Sequence, residues 1–455
     1  MAEIFCNIDN SGVTNGTSFA TGFTDIRDAW NGATYGDVIY INAGSTAYVL
    51  SGGNVYASND ALSIYATNPT VHIPTNFIGI KDGNTASVPM GDERPLITCN
   101  RTNGASVLFP RGSNVENLRF DGDMLTSGNA SLVTAYFCTL RNIEFKATDR
   151  SDGAVLGDRV VCFGTSSSRL FGCSFISDIS ANSWGTRATG VSNVNNIYES
   201  YCENCVFDNR GTAQIGAFTT ARTSYGSAGE YRNCIFNGSG YETLYEPIGT
   251  PHTQSMAPMQ IFNCIFYNCG TAIIPYIPLS TTSSYNTEAE MQNKLDTIKI
   301  HQCLFVNCNK GVETPSYVDP TGWESGTFTM EHVIRLHKCA FYNNTVANTA
   351  GVLSNILPVQ LSADPFVNGA SGDFRLNDDP NGGTKLKQYD IQFGINDKVQ
   401  GRNYGASSLF RGQYDFSSST SNELDLGTGG IGDIVSVDGN SFQLTQINPR
   451  VWRNV

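Results

Sequence analysis

Eight six-residue segments of one pattern run through the chain: VENLRF (115–120), LRNIEF (140–145), LFGCSF (170–175), CENCVF (202–207), YRNCIF (231–236), IFNCIF (261–266), IHQCLF (300–305) and LHKCAF (336–341). Their closing phenylalanines, Phe120, Phe145, Phe175, Phe207, Phe236, Phe266, Phe305 and Phe341, follow one another at intervals of 25, 30, 32, 29, 30, 39 and 36 residues. A unit this small cannot bury its own apolar face, so it must be closed by the unit stacked on it. Within a segment, the phenylalanine and the residue two before it share one face of a strand. That earlier residue is Leu118, Ile143, Cys173, Cys205, Cys234, Cys264, Cys303 or Cys339, all of them buriable. Two residues past the phenylalanine stand Asn209, Asn268, Asn307 and Asn343, with Gly238 in one case. These types tolerate left-handed φ at a tight bend. The repeat therefore reads as one strand and one bend, recurring through the chain.

Such a period, with short strands and no helical pattern between them, predicts a solenoid of stacked β-coils. Like residues would sit about 4.8 Å apart on successive coils. Leucine-rich repeats are shorter, and propeller blades are longer and carry a Trp-Asp signature that is missing here. Composition agrees: charged residues are 15%, hydrophobic residues 40%, and glycine numbers 46. Wholesale disorder and coiled coil are both excluded by this balance. Net charge is 28 − 41 = −13. An acidic chain of this kind is a poor partner for nucleic acid or an anionic membrane surface. No apolar run is long enough to insert in a membrane. The opening MAEIFCNIDNSG has neither the basic nor the apolar region of a secretory signal, so the 13 cysteines are expected to be thiols.

Two further stretches sharpen the reading. FTDIRDAWNGATYGDVIYINAGSTAYVL (23–50) has Phe23, Ile26 and Trp30 on one helical face, ahead of a Gly-Asp-x-Ile strand. LSADPFVNGASGDFRLN (361–377) carries an Asp-Pro-Phe and a Gly-Asp-Phe-Arg-Leu run. With these the chain resembles the right-handed parallel β-helix proteins of the pectin-lyase-like superfamily, bacteriophage tailspikes and appendages among them. The resemblance spans about residues 15–380. It implies an all-β, right-handed parallel β-helix solenoid with a short N-terminal capping helix and a small β-rich C-terminal segment. The expected boundaries are an N-terminal arm at 1–22, the β-helix at 23–380, and a cap or assembly segment at 381–455. In that last part, DDPNGGTK (378–385) reads as a linker, YDIQFGI (389–395) and LFRGQYDF (409–416) are rich in aromatics, and IVSVDGNSFQL (434–444) reads as a hairpin around Asp-Gly.

Enzymes of this superfamily carry recognisable motifs, and the chain has neither Asn-Thr-Asp nor Gly-His-Gly. Asp378–Asp379 falls at the closing linker, and DGD (121–123) reads as a turn before a calcium corner. His72, His252, His301, His332 and His337 show no metal spacing. Cys202-x-x-Cys205 lacks the second pair a zinc site needs, and the cysteines read as core plugs. No metal and no cofactor are expected. Carboxylates paired across coils could hydrolyse a glycoside; by register the candidates are Glu203 with Arg232 and Asp208 with Glu230. The insertion at 240–259 gathers Tyr241, Glu242, Tyr245, Glu246 and His252, a set suited to binding a glycan.

The residue between the two inward positions should point outward. It runs Arg119, Glu144, Ser174, Val206, Ile235, Ile265, Leu304, Ala340, polar at first and apolar afterwards. Val206, Ile235, Ile265, Leu304 and Ala340 would form an apolar stripe, which marks an interface. The expectation is a homo-oligomer, a trimer as in tailspikes, with the C-terminal tail or an insertion as the competing cover. Taken together, the resemblance implies a bacteriophage virion structural protein (tailspike, fibre or capsid appendage) with a structural or glycan-adhesion role. Its partners would be other virion proteins and surface polysaccharide, and it would be made in the host cytoplasm. The alternative is a secreted polysaccharide lyase or glycoside hydrolase of the same fold.

Overall fold

In the computed structural model the described residues are 2–12, 14–34, 36–51, 75–86, 88–89, 91–100, 107–109, 112–123, 131–148, 161–166, 168–178, 195–198, 201–209, 218–219, 229–238, 244–245, 259–274, 299–313, 335–350, 354–356, 359–388, 434–437, 440–447 and 450–454. Three long parallel sheets of 12, 11 and 9 strands account for most of them. Sheet 1 runs from Glu3–Cys6 to Ser354–Ile356, sheet 2 from Tyr48–Ser51 to Val359–Gln360, and sheet 3 from Val107–Phe109 to Ala347–Ala350. Successive strands of each sheet come from successive coils, all parallel and in matched register. The chain is an all-β parallel β-helix. Its first strand, Glu3–Cys6, pairs with Val38–Asn42 in sheet 1, so residues expected in an N-terminal arm already belong to the helix.

Each six-residue repeat is two strands rather than one. VENLRF splits into the end of Asn114–Glu116 in sheet 1 and the start of Arg119–Asp123 in sheet 2. Between them the backbone turns through a residue of positive φ: Asn117, Asn142, Gly172, Asn204, Asn233, Asn263, Gln302 and Lys338, at 50–60°. Asparagine adopts this conformation at low cost and glycine at none. The bend N–H donates across to the next coil, as from Asn204 to the Arg232 carbonyl and from Asn233 to the Phe262 carbonyl, each at 3.0 Å. Asn142 Nδ2 also donates to Asn117 Oδ1 at 2.8 Å. The bend expected after the phenylalanine exists at Asn268, Asn307 and Asn343, with φ of 50–56°. Asn209 instead lies in the strand Val206–Asn209.

The inward columns stand as expected. Seven successive phenylalanine pairs from Phe120 to Phe341 have ring centroids 4.7–5.4 Å apart and planes within 12° of parallel. All eight rings are at most 3% exposed. Next to them, at the corner, the cysteines do more than fill space. Cys173, Cys205, Cys264, Cys303 and Cys339 each aim Sγ at a main-chain carbonyl of the preceding coil, that of Leu140, Leu170, Tyr231, Ile261 or Ile300, at 3.6–3.7 Å. A thiol is small, apolar and a weak donor, which suits a crowded corner where a carbonyl needs a partner.

The N-terminal end is closed by α1, Ile26–Asn31, capped by the Asp25 side chain. Phe23, Ile26 and Trp30 pack on the core, and Trp30 stacks on Phe77 at 5.6 Å. Far from this cap, the stripe expected at an interface with another chain is covered by the protein itself. Ile235, Ile265, Leu304 and Ala340 are at most 4% exposed, Val206 is 8% exposed, and all five share one cluster with Leu361, Phe366, Phe374, Leu376 and Leu386. The cover is an antiparallel hairpin, Phe366–Asn368 with Asp373–Leu376, followed by α2, Gly383–Gln388. Tyr267 meets Phe366 and Phe374 edge-on at 6.2 and 5.2 Å. The segment that resembles a closing coil thus folds back over sheet 2, and the supposed linker supplies the turn into α2. The physical reason is that an apolar row long enough to attract a partner also attracts a tethered segment, whose effective concentration is higher. Further on, Ile434–Val437 and Asn440–Ile447 form the expected antiparallel hairpin, extended by Arg450–Asn454.

Two substitutions check this packing. Phe236→Ala should cost about 3–5 kcal/mol, read from chemical denaturation, because the gap is shared by rings above and below. Ile265→Asp should cost about 4 kcal/mol or more of stability and so lower the unfolding midpoint steeply, since it buries a lone charge under the hairpin; dissociation of an oligomer with the fold intact would contradict the covered stripe.

Candidate functional site

Sheet 1 strands are mostly three residues long. Their middle residues, Val115, Leu140, Leu170, Cys202, Tyr231, Ile261, Ile300 and Leu336, are buried in the core. The flanking residues therefore face outward in two rows, since side chains alternate. Register sets the first row as Asn114, Thr139, Arg169, Tyr201, Glu230, Gln260 and Lys299. The second is Glu116, Arg141, Phe171, Glu203, Arg232, Phe262, His301 and His337. Rings and charges are thus interleaved along each row from coil to coil.

Neighbours in these rows hold one another. The Arg141 guanidinium lies 4.5 Å from the centre of the Phe171 ring, and that of Arg232 lies 4.7 Å from the centre of Phe262. Arg141 Nε stands 3.8 Å from Glu116 Oε1, while Arg232 Nε donates to Glu230. The Tyr201 hydroxyl donates to Glu203 Oε2 at 2.8 Å. Burial, then the neighbouring Glu203, pushes that phenol well up. Phe262 meets His301 edge-on at 5.2 Å, and His301 meets His337 at the same distance. Burial, then His337, holds the His301 imidazole below its usual range.

The other residues singled out in the sequence fall elsewhere. Tyr241, Glu242, Glu246 and His252 lie outside the described residues; the Tyr245 backbone pairs with Ile274 in sheet 3. Glu203 does face Arg232, as register suggested, but Asp208 and Glu230 are on different sheets. Asp208 is fully buried and accepts from Asn237 Nδ2 at 2.9 Å. Alternation alone could not show this, because the bend inside the repeat moves the two positions to different faces. Asp121–Asp123 is strand, not turn, with Asp121 opposite Lys146 and Asp123 opposite Thr148. Cys202 and Cys205 are both core residues, and among the described residues no group of three or more His, Cys, Asp or Glu is placed to hold a metal.

The polar start of the outward ladder is a structural network. Arg94 is 1% exposed, and its Nη2 donates to Glu144 Oε2 at 3.1 Å. Arg119 Nε lies 3.4 Å from the other oxygen of Glu144. Burial raises the Glu144 carboxyl against the pull of both arginines. The ionic group therefore clamps residues 91–94 onto sheet 2. Sequence reasoning missed the sheet 1 rows, although their second row is simply the second letter of every quoted repeat.

No protein-family model and no curated protein matches the chain. Solved structures do. ORF18 of Geobacillus virus E2 is 13% identical with a TM-score of 0.33, over 80% of this chain and 62% of that one. Pectate lyase Pel9A is 11% identical with a TM-score of 0.38, over 83% and 86%. Tailspike protein 3 of bacteriophage CBA120 is 12% identical with a TM-score of 0.27, over 78% and 61%. The chain thus spans less than two thirds of the length of either viral protein. Its assignment as a parallel β-helix rests on its own three sheets and their register.

The histidine pair makes a pH prediction. With the His301 pKa depressed on folding, the unfolded chain takes up the proton first as pH falls, so stability drops below about pH 6.5. His337→Gln should make that drop shallower in urea titrations at pH 5–7, by removing the second positive charge.

Proposed function

We propose that this protein is a bacteriophage virion structural component, a tailspike, fibre or capsid appendage, with a structural role or one in adhesion to a surface glycan. The observation that carries this reading is the state of the cysteines. Eleven of the thirteen cysteines are free and buried, and six of these, Cys173, Cys205, Cys234, Cys264, Cys303 and Cys339, hold the same place in successive repeats. A newly made chain exposes these thiols. In an oxidising compartment they would cross-link in wrong pairs before the coils closed; the reducing cytoplasm avoids that. Once folded, burial pushes the Cys173, Cys234, Cys264 and Cys339 thiols well up, so little reactive thiolate remains at these four positions. A part that must fold in reducing conditions and then persist outside the cell is what a virion requires.

On this reading the partners are other virion proteins, further copies of the chain as a homo-oligomer, a trimer by the tailspike pattern, and surface polysaccharide. Antibodies to the chain should label phage particles in electron micrographs, and light scattering should return a defined oligomer. Directing the chain to an oxidising periplasm should sharply reduce its folded yield relative to cytoplasmic expression. A stable monomer that releases unsaturated uronates or reducing ends from pectate, alginate or bacterial capsule would move the assignment to a polysaccharide lyase or glycoside hydrolase.

A further inference from the structure

Resting on the glycan-adhesion side of that reading, we infer that the outer face of sheet 1 binds a carboxylated polysaccharide laid along the helix axis, gripped by two arginine–phenylalanine stacks, Arg141 on Phe171 and Arg232 on Phe262, each with a glutamate beside the arginine. The second row repeats with a period of three coils: Glu116, Arg141, Phe171, then Glu203, Arg232, Phe262. Three coil rises separate equivalent groups by about 14 Å. An extended chain of pyranoses advances by about one coil rise per sugar, so equivalent subsites would meet every third residue of one strand.

The chemistry of each stack selects the ligand. A guanidinium stacked on a ring is fixed in orientation, so little freedom remains to be lost when it binds. Arg141 and Arg232 keep 36% and 44% of their side chains exposed, and neither has a further partner among the described residues beyond its carboxylate and its ring. Their remaining N–H groups suit a planar carboxylate. Partly exposed Phe171 and Phe262 offer apolar surface to sugar rings. Glu116, Glu203 and Glu230 are acceptors for hydroxyl donors.

Charge points the same way. The two rows hold Arg141, Arg169, Arg232 and Lys299 against Glu116, Glu203 and Glu230, in a chain with 28 basic and 41 acidic residues. This face is thus locally positive on an acidic molecule. Single-stranded nucleic acid is also anionic and stacks on rings, but it has a phosphate at every nucleotide and would meet three interleaved carboxylates. A uronic-acid polysaccharide supplies both the anions for the arginines and the hydroxyls for the glutamates.

The test is binding of the full chain to polygalacturonate, alginate and hyaluronate, with methyl-esterified polygalacturonate and poly(dT) as controls. The unmodified protein should bind at least one of the three carboxylated chains, lose that binding in about 0.5 M salt, and ignore the ester. Arg141→Gln and Arg232→Gln should each weaken binding about ten-fold, from the loss of a charged hydrogen-bonding group. The double variant should fall further, with an unchanged melting curve, because both side chains are exposed. Phe262→Ala, a second route to the same site, should weaken binding in the same range. Failure to bind any carboxylated chain, equal binding of the ester, preference for poly(dT), or undiminished binding by the double variant would each overturn the assignment. The two readings separate cleanly. If the double variant adheres to host cells as the parent does, the sheet 1 site fails while the virion reading stands. If it loses polysaccharide binding but antibodies never label particles, the site stands and the virion reading fails.

Discussion

Everything in this structure depends on one coil being laid on the next without slip. A slip of one residue would turn every inward side chain out. Two devices oppose it together. The stacked phenylalanines, with planes within 12° of parallel, run as one apolar column through the core. The left-handed bend between sheets 1 and 2 fixes where each strand ends, because its N–H is tied to a carbonyl of the following coil. Rings alone would tolerate small shifts along the strand; a bend hydrogen-bonded to the following coil at seven successive positions, Asn117 to Gln302, does not.

That lock explains how the rest of the surface is used. Side chains between inward positions are also brought into columns, whether or not they are buried. On sheet 2 the column divides into an ionic end under Arg94 and an apolar end under the 361–386 segment. Both halves are covered by segments of the same chain. Sheet 1 carries two outward columns in which rings and charges remain partly exposed. Stacking thus converts a loosely repeated sequence into a linear surface with a fixed spacing, and fixed spacing is what recognition of a polymer needs.

The inward half of the fold was legible in the sequence because Phe, Leu and Cys recur at it, and burial tolerates few residue types. The hairpin around Asp-Gly and the capping role of Ile26 and Trp30 were legible for similar local reasons. Less legible was the bend. Asn117, Asn142 and Asn204 occupy the third letter of each repeat, but Gln302 and Lys338 occupy it too, and a reader following strand alternation runs straight through it. Missing that corner hid the sheet 1 rows and placed Asp208 and Glu230 on one face. The stripe from Val206 to Ala340 was correctly read as a continuous apolar row, but the sequence could not say which surface would meet it.

By itself, then, the sequence determined that this chain winds into coils, which residues stack inside them, and where the interior changes from Leu and Ile to Cys. Those choices follow from periodicity and burial, which act between residues at constant spacing. Only the tertiary structure decided that the repeat bends in its middle, that the segment around Phe366 and Phe374 covers the apolar row, and that Arg141 and Arg232 each lie over a phenylalanine from the next coil. These contacts join residues tens to over a hundred positions apart, and their energies depend on the three-dimensional register of the coils, which no local pattern encodes.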